Sequence, residues 1–143
     1  MEIYKYKNYE EYKKKQIEAN VRKLDRTWVD PASLKNVMKY IHDNLNVKPR
    51  KILCHGTRRG LEQQYILDYF KDIKDLEVIG TEISHTATEF PNTIQWDFHD
   101  VKDEWVGSID IIYSNSFDHS IKPRECLDTW MSCLKQNGIC VIE

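Results

Sequence analysis

Residues 51–84 read KILCHGTRRGLEQQYILDYFKDIKDLEVIGTEIS, and the order of features in this stretch decides the fold. A short apolar run, residues 52–54, is followed by a loop that contains Gly56 and Gly60. A segment with helical periodicity comes next, and then a second apolar run that leads to Glu82. A strand, a glycine-containing loop, a helix and a second strand in this order are typical of a parallel α/β unit.

The same stretch carries the features that hold a nucleoside in such a unit. Glycines after the first strand let the backbone approach a ligand closely, and an acid at the end of the second strand accepts hydrogen bonds from ribose hydroxyl groups. Gly56, Gly60 and Glu82 stand at these positions. The sequence therefore predicts a site for an adenosine-type cofactor.

Upstream of this stretch, periodicity predicts two helices. The first covers residues 9–23, and its basic character is typical of a solvated helix face. The second begins at Pro31 with Asp30 as its N-cap, and its apolar positions recur at helical spacing as far as Leu45.

Downstream, three further strands are predicted, over residues 93–96, 108–113 and 139–142. A short helix is predicted over residues 85–89. A longer helix begins at Pro123, carries Leu134 on its apolar face and ends in a cap and turn at Asn137 and Gly138. Strands that alternate with helices imply parallel pairing, so we predict an α/β fold with a doubly wound parallel sheet of about five strands.

Bulk properties narrow the class of protein. The 143 residues fit one domain, 1–143, with an N-terminal helical segment, 1–48, ahead of a core, 49–143. The net charge of −2 gives no general case for nucleic-acid binding, and no apolar run approaches the roughly 18 residues that span a bilayer. The four cysteines form no CxxC pair, so no metal site is predicted. Without an export signal at the N-terminus, we expect a cytoplasmic location.

Polar residues stand at the ends of the predicted strands. Ligands of parallel sheets bind beyond the carboxyl ends of the strands, which meet at one edge. Gly56, Glu82, Asp97 and the pair Ser114 and Asn115 occupy these ends. We therefore expect all of them to line one crevice, although they lie far apart in the sequence.

With these strand ends in place, the chain from residue 51 onward resembles a class I, Rossmann-like S-adenosylmethionine-dependent methyltransferase. ILCHGTRRG, VIGTEIS, IQWDFHD and SIDIIYSNSFDHS follow the order of that family's first four motifs, and CLDTWMSCLKQNGICVIE resembles the helix, turn and strand after them. The resemblance implies a Rossmann-like fold and S-adenosyl-L-methionine as the cofactor. It also implies transfer of the cofactor's methyl group to a small-molecule substrate.

The resemblance assigns roles to individual residues. Glu82 stands in the place of the ribose-binding acid, and Asp97 where the family contacts the adenine amino group, with Phe98 beside the ring. His119 is a candidate general base, with a solvated loop histidine as the alternative. The other predicted cofactor-binding residues are His55, Gly56, Thr57, Arg58, Gly60, Ile83, Ser114 and Asn115. His55 is expected inside the glycine loop, either in a structural role or in contact with the ligand.

Two departures from the family pattern concern the methionine end of the cofactor. Arg58 takes the place of the middle glycine in GTRRG, and Cys54 stands where the family commonly has an acid. Two interpretations of Arg58 stay open. Its guanidinium binds the cofactor carboxylate, for which its geometry is suited, or its side chain points to solvent and only its backbone matters.

Two other functions are weighed against the methyltransferase. An NAD-type oxidoreductase is disfavoured because GTRRG lacks the GxGxxG spacing and no Tyr-x-x-x-Lys pair follows the fourth strand. A non-catalytic domain that binds S-adenosylmethionine or a nucleoside, or a partner subunit, stays open because the glycine loop is altered.

Two segments outside the motifs carry further predictions. Residues 4–28 are predicted to form a partial lid over the crevice, with the aromatic residues Tyr4, Tyr6, Tyr9 and Trp28. The last strand, 139–142, is apolar, and no hairpin follows it as in the family sheet. Either the sequence is part of a longer chain, or this edge is covered, most simply by the same edge of a second copy in a homodimer.

Overall fold

Helices and parallel strands alternate along the chain in the computed structural model, which describes residues 5–44 and 48–143. Tyr4 of the predicted lid and Leu45 of the predicted second helix lie outside the described residues. The helices are α1, Tyr9–Arg22; α2, Pro31–Asn44; α3, Leu61–Tyr69; and α4, Pro123–Cys133. The strands are β1, Lys51–His55; β2, Glu77–Glu82; β3, Thr93–Gln95; β4, Ile109–Ser114; and β5, Leu134–Ile142. Short 3-10 turns occupy His85–Glu89, Asp103–Trp105 and Phe117–His119.

The five strands form one sheet in the order β3-β2-β1-β4-β5, and every neighbouring pair is parallel. The chain therefore runs outward from β1 to one edge and then returns to place β4 on the other side of β1. Ligands of open α/β sheets bind where the strand order reverses in this way. The predicted Rossmann-like doubly wound sheet, preceded by an N-terminal helical segment, is confirmed.

The core consists of two apolar clusters on opposite faces of the sheet. Ile52 and Cys54 of β1 belong to the cluster that includes buried residues of α2 and α3, whereas Leu53 belongs to the cluster that includes α4. This division follows from the two-residue period of a strand, which sends successive side chains to opposite faces. Both faces of the sheet are covered, as parallel sheets require.

The helix starts agree with the capping patterns in the sequence. The Asp30 carboxylate accepts hydrogen bonds from the Ser33 N–H at 3.0 Å and the Ser33 hydroxyl at 2.7 Å, and Pro31 is the first residue of α2. At the start of α1, the Asn8 side chain accepts from the Glu11 N–H at 2.9 Å. These caps satisfy backbone donors that have no partner within the helix.

The predicted end of the last helix is wrong. α4 stops at Cys133, and Leu134 has extended dihedrals, φ −71° and ψ 140°, as the first residue of β5. Leu134 pairs with Ile109, and the register then shifts before Ile139 pairs with Ile111. The Asn137 turn, with φ 68°, lies inside this irregularity and caps no helix. Sheet pairing and packing of Leu134 on the core override its helical spacing.

β5 forms one edge of the sheet and pairs with β4 alone within the described part of the chain. Ile142 near its end is 43% exposed. The homodimer through this edge stays a prediction, as does the division of the chain at residue 48. None of the helices found in residues 5–44 and 48–143 combines the length and apolar character that crossing a bilayer requires.

Candidate functional site

A cavity of about 970 Å³ lies at the carboxyl end of the sheet, within the size range of small-molecule sites. Its wall includes the end of β2, the loops after β1 and β4, and parts of the N-terminal segment. Besides the candidate base His119, eight of the predicted cofactor-binding residues line it: Gly56, Thr57, Arg58, Glu82, Ile83, Asp97, Phe98 and Asn115. His55, Gly60 and Ser114 do not line this cavity.

His55 is the last residue of β1 and does not lie in the glycine loop, where the sequence analysis placed it. Its ring stacks on Trp130 with centroids 4.6 Å apart, and its Nδ1 lies 2.9 Å from the Thr81 hydroxyl. Burial lowers the pKa of His55 to about 3, so the imidazole is neutral. These contacts give His55 a structural environment in the core.

Gly60 and Ser114 have packing roles near the carboxyl ends of the strands. Gly60 has φ +70°, and a Cβ there would approach the Thr93 hydroxyl to 2.7 Å. The Ser114 hydroxyl donates to the His55 carbonyl at 3.0 Å and accepts from the Ser116 N–H at 3.1 Å. Gly60 therefore lets the start of α3 pack beside β3, and Ser114 joins the ends of β1 and β4.

The glycine loop packs tightly against the loop that follows β4. Gly56 has φ +74°, and a Cβ there would lie 2.7 Å from the Ser116 Cβ. The N–H groups of Gly56 and Thr57 both donate to the Thr81 carbonyl at 3.0 Å. Glycine is thus required at position 56 by both the backbone conformation and the close approach of a neighbouring loop.

Only one of the two carboxylate oxygens of Glu82 has hydrogen-bond partners among the described residues. The side chain lies at the end of β2 in a residue that is 1% exposed, and Oε1 accepts from the Asn20 amide and the Ser84 N–H, both at 2.9 Å. Oε2 is buried and has no hydrogen-bond partner among the described residues. One oxygen therefore fixes the carboxylate on the cavity wall, and the other is available to a ligand.

Ile83 and Phe98 give the cavity wall its apolar character beside these acids. Ile83 follows Glu82, and its carbonyl accepts from the Gln95 side chain at 3.3 Å. The Phe98 carbonyl accepts from the Trp130 indole N–H at 2.8 Å, while its ring meets the Trp130 ring edge-on with centroids 5.5 Å apart. Trp130 is fully buried, so Phe98 is held in place by the core.

Asp97 belongs to a hydrogen-bond network that also includes Tyr9, His99 and Ser120. The Tyr9 hydroxyl donates to Oδ2, and the His99 N–H donates to Oδ1 at 3.0 Å. His99 Nδ1 lies 2.8 Å from Oδ1, and its Nε2 lies 2.8 Å from the Ser120 hydroxyl. Burial opposes ionisation of Asp97, but the donors from His99 and Tyr9 outweigh it and lower the pKa to about 2.

Arg58 ties the glycine loop to the N-terminal segment. Its Nη1 donates to the backbone carbonyls of Lys23 at 3.3 Å and Arg26 at 3.2 Å. Arg58 is half-buried, and burial lowers its pKa. The structure contradicts the interpretation in which this side chain points to solvent, while the alternative of a contact with the cofactor carboxylate stays open.

α1 lies across the carboxyl ends of the strands and contacts the end of β2 and the two loops that carry Asp97 and His119. In addition to the contacts of Asn20 with Glu82 and of Tyr9 with Asp97, the Tyr12 hydroxyl donates to the His119 carbonyl at 2.9 Å. The cavity is also lined by residues of α1 and of the segments before and after it, among them Tyr6, Tyr12, Gln16, Ala19, Asn20, Lys23, Arg26 and Trp28. Trp28 is 68% exposed and therefore contributes to the rim of the cavity and not to the core. The lid function of this segment stays a prediction.

Glu62 is a second buried acid on the cavity wall, and the sequence analysis missed it. It lies in the first turn of α3 and is 5% exposed. Its Oε1 accepts from the Asn115 amide at 3.5 Å, and its Oε2 has no partner within the described ranges. Burial raises the pKa of Glu62 to about 7. An acid in a first helical turn usually faces solvent, so no local pattern distinguished it.

His119 ends the 3-10 turn Phe117–His119 and is exposed at the cavity. Its Nε2 lies 4.0 Å from the Asp118 carboxylate. This position gives the imidazole access to a molecule in the cavity. Residues 5–44 and 48–143 contain no cluster of three or more histidine, cysteine, aspartate or glutamate side chains that could hold a metal ion.

No protein-family model and no curated protein sequence matches this chain. Solved structures do match. The plantazolicin methyltransferase BpumL in complex with SAH, S-adenosylhomocysteine, superposes with a TM-score of 0.64 at 20% identity, over 92% of this chain and 49% of that chain. This chain thus spans about half the length of that relative.

Two other methyltransferase structures superpose on nearly the whole chain. A putative S-adenosyl-L-methionine-dependent methyltransferase from Methanococcus maripaludis, mmp1179, matches with a TM-score of 0.61 at 14% identity, over 99% of this chain and 66% of that chain. The sugar N-methyltransferase KedS8 from Streptoalloteichus sp ATCC 53650 matches with a TM-score of 0.59 at 15% identity, over 99% of this chain and 56% of that chain. The chain has the Rossmann-like fold of the class I S-adenosylmethionine-dependent methyltransferases.

Proposed function

We propose that this protein is a transferase that binds S-adenosyl-L-methionine at the carboxyl ends of its strands and transfers the methyl group to a small molecule. The observation that carries the proposal is the carboxylate of Glu82. It closes β2, lies on the wall of the cavity and has one buried oxygen without a partner among the described residues.

The residues of the cavity fit the nucleoside part of this cofactor. A buried acceptor without a partner costs about 1–3 kcal/mol, and a ribose hydroxyl would supply the donor that Glu82 Oε2 needs. Asp97 and Phe98 line the same cavity and would face the adenine ring. Asp97 Oδ2 already accepts from Tyr9, so an adenine amino group would use the second lone pair of that oxygen or displace the phenol.

The chemistry places few demands on acid or base residues. When bound, S-adenosylmethionine supplies a methyl group on a sulfonium, which a nucleophile displaces directly. The protein then has to align the acceptor and exclude water. α1 would serve this task, and in support Asn20, Tyr9 and Tyr12 attach it to the end of β2 and to the loops that carry Asp97 and His119. His119, exposed at the cavity, is the candidate to take a proton from the acceptor.

The small-molecule class of acceptor draws support from two neighbours in fold. One is a sugar N-methyltransferase, and the other acts on plantazolicin. A non-catalytic S-adenosylmethionine-binding domain is the second candidate. It is favoured by the altered glycine loop, in which Arg58 stands in place of the middle glycine and donates to the carbonyls of Lys23 and Arg26.

Two assays test these functions in turn. Calorimetric titration with S-adenosylhomocysteine and with NAD is expected to show binding of the first ligand alone. Transfer of a labelled methyl group to a panel of sugars, amines and small peptides is expected to yield at least one methylated product. Binding of NAD alone would contradict the proposal, and cofactor binding without any product would favour the non-catalytic domain.

A further inference from the structure

Glu62 has the properties of a residue that awaits a cationic ligand. The residue is 5% exposed and lines the cavity, so its carboxylate is withdrawn from bulk water and lies beside the space that a ligand would fill. Oε2 has no partner in the described part of the chain, and Oε1 has a single long contact to the Asn115 amide at 3.5 Å. Buried carboxylates are normally paired, because an isolated charge is costly in a poorly solvated site.

Glu62 forms no ion pair with a cation of the described residues. Arg58 is close enough to favour the ionised form of Glu62, but its Nη1 donates to the carbonyls of Lys23 and Arg26. The nearby carboxylate of Glu82 opposes ionisation of Glu62. The neutral groups near it are the thiol of Cys54 on β1 and the phenol of Tyr113 on β4, and burial raises the pKa of both. A cationic group of a ligand could therefore pair directly with the carboxylate oxygen that has no partner in the described ranges.

The position of Glu62 indicates which part of the ligand it meets. Glu62 follows β1 and touches Asn115, which follows β4, so the contact spans the point where the strand order reverses. Glu82 follows β2 on the other side of β1. A ligand that gives its ribose to Glu82 and extends across β1 toward β4 would bring its other end to Glu62. In S-adenosylmethionine that end is an amino acid with a free ammonium group.

We infer that Glu62 binds the α-ammonium group of S-adenosylmethionine, an inference that rests on the function proposed above. Cys54, at the position where the resembling family commonly has an acid, is fully buried in the core cluster and does not line the cavity. The acid that receives the ammonium is thus carried by the helix after the glycine loop.

The site also makes cofactor binding depend on pH near neutrality. Burial holds the pKa of Glu62 at about 7 in the free protein, so the carboxylate is protonated below that pH and carries no charge to attract an ammonium. Binding of the ammonium favours the ionised form. Affinity therefore rises as the pH passes upward through 7, by about tenfold between pH 6 and pH 8.

A pair of ligands that differ only in the amino group tests the inference. S-adenosylhomocysteine and its desamino analogue, in which hydrogen replaces the α-amino group, are titrated into the wild type, into Glu62→Gln and into the control Glu89→Gln. Glu89 is exposed and does not line the cavity. We expect Glu62→Gln to weaken S-adenosylhomocysteine binding at least about tenfold and to leave the desamino analogue unchanged, because only the first ligand carries the ammonium.

The outcomes separate the inference from the proposed function. Failure of the wild type to bind either ligand would overturn both. Binding by the wild type, with equal losses or no loss for the two ligands in Glu62→Gln, would overturn the role of Glu62 alone.

A second measurement tests the pH dependence. The affinity of the wild type for S-adenosylhomocysteine is compared at pH 6 and pH 8, and the same comparison is made with Glu62→Gln. A pH dependence that persists in the variant would belong to another group and would contradict the inference.

Discussion

The side-chain amide of Asn20 in α1 donates a hydrogen bond of 2.9 Å to Oε1 of Glu82 at the end of β2. This contact joins the N-terminal segment to the acid on which the proposed cofactor site depends. Because Ser84 N–H donates to the same oxygen, the carboxylate is fixed with its second oxygen free among the described residues. α1 is therefore part of the site, and changes in it are expected to alter ligand binding.

Arg58→Ala is expected to weaken S-adenosylhomocysteine and methylthioadenosine by a similar factor. The Arg58 guanidinium holds the glycine loop to the carbonyls of Lys23 and Arg26, so its loss disturbs the shape of the cavity for both ligands. Methylthioadenosine lacks the amino acid part of the cofactor. Parallel calorimetric titrations check this, and a loss confined to S-adenosylhomocysteine would show that Arg58 pairs with the carboxylate instead.

The double variant Tyr9→Phe, Tyr12→Phe is expected to release bound S-adenosylhomocysteine faster than the wild type. It removes the hydroxyl groups that attach α1 to Asp97 and to the His119 carbonyl, which together contribute roughly 2–4 kcal/mol to holding the helix over the cavity. Stopped-flow displacement measures the rate. Tyr40→Phe, at a position that is 72% exposed on α2, is the matched control. An unchanged rate in the double variant would mean that α1 does not gate the cavity.

Glu62→Gln is expected to stabilise the ligand-free protein at pH 8 and to have no effect at pH 4. Burial raises the pKa of Glu62 from its ordinary value of 4.5 to about 7, so the stability that its protonated form contributes is present below 4.5 and is lost as the pH rises through 7. The amide avoids this loss, which amounts to about 3 kcal/mol at most. Urea unfolding at the two pH values checks the prediction. A variant that is less stable than the wild type at pH 8 would show that the carboxylate is paired.

Much of this site follows from sequence because strand ends are local signals with a fixed spatial meaning. Parallel pairing brings Glu82, Asp97 and Asn115 to one cavity whatever the intervening sequence. The contacts from Asn20 and Tyr9 could not be predicted in the same way. They depend on how an amphipathic helix docks on the sheet, which its periodicity does not specify.

The incorrect predictions, and the residue that was missed, also depend on contacts between distant parts of the chain. The Asn137 turn was identified from local chemistry, but its place in the fold depends on the pairing of Leu134 with Ile109, a contact between distant parts of the chain. His55 appeared to be a loop residue because it adjoins Gly56, whereas stacking on Trp130 draws it into the core. Burial of Glu62 likewise arises only when α3 and β4 meet.

The β5 edge is expected to associate with another copy of the chain at micromolar concentration. The outer edge of β5 pairs with no other strand within the described residues, and its free backbone N–H and C=O groups favour addition of a strand from another chain. Ile142 is 43% exposed and is the better place for a disrupting charge than Val141, which packs against the core. Sedimentation of the wild type is expected to show a dimer that Ile142→Lys dissociates. A wild type that sediments as a monomer would contradict the prediction of a homodimer.

The most direct test of the account is calorimetric titration of S-adenosylhomocysteine into the wild type and into Glu82→Ala, with folding of both confirmed by circular dichroism. We expect saturable binding to the wild type. We also expect an affinity at least about tenfold weaker for the variant, because a charge-assisted hydrogen bond contributes about 1.5–3 kcal/mol. Equal affinity in the two proteins, or no binding to the wild type, would contradict the claim that the cavity at Glu82 holds the cofactor.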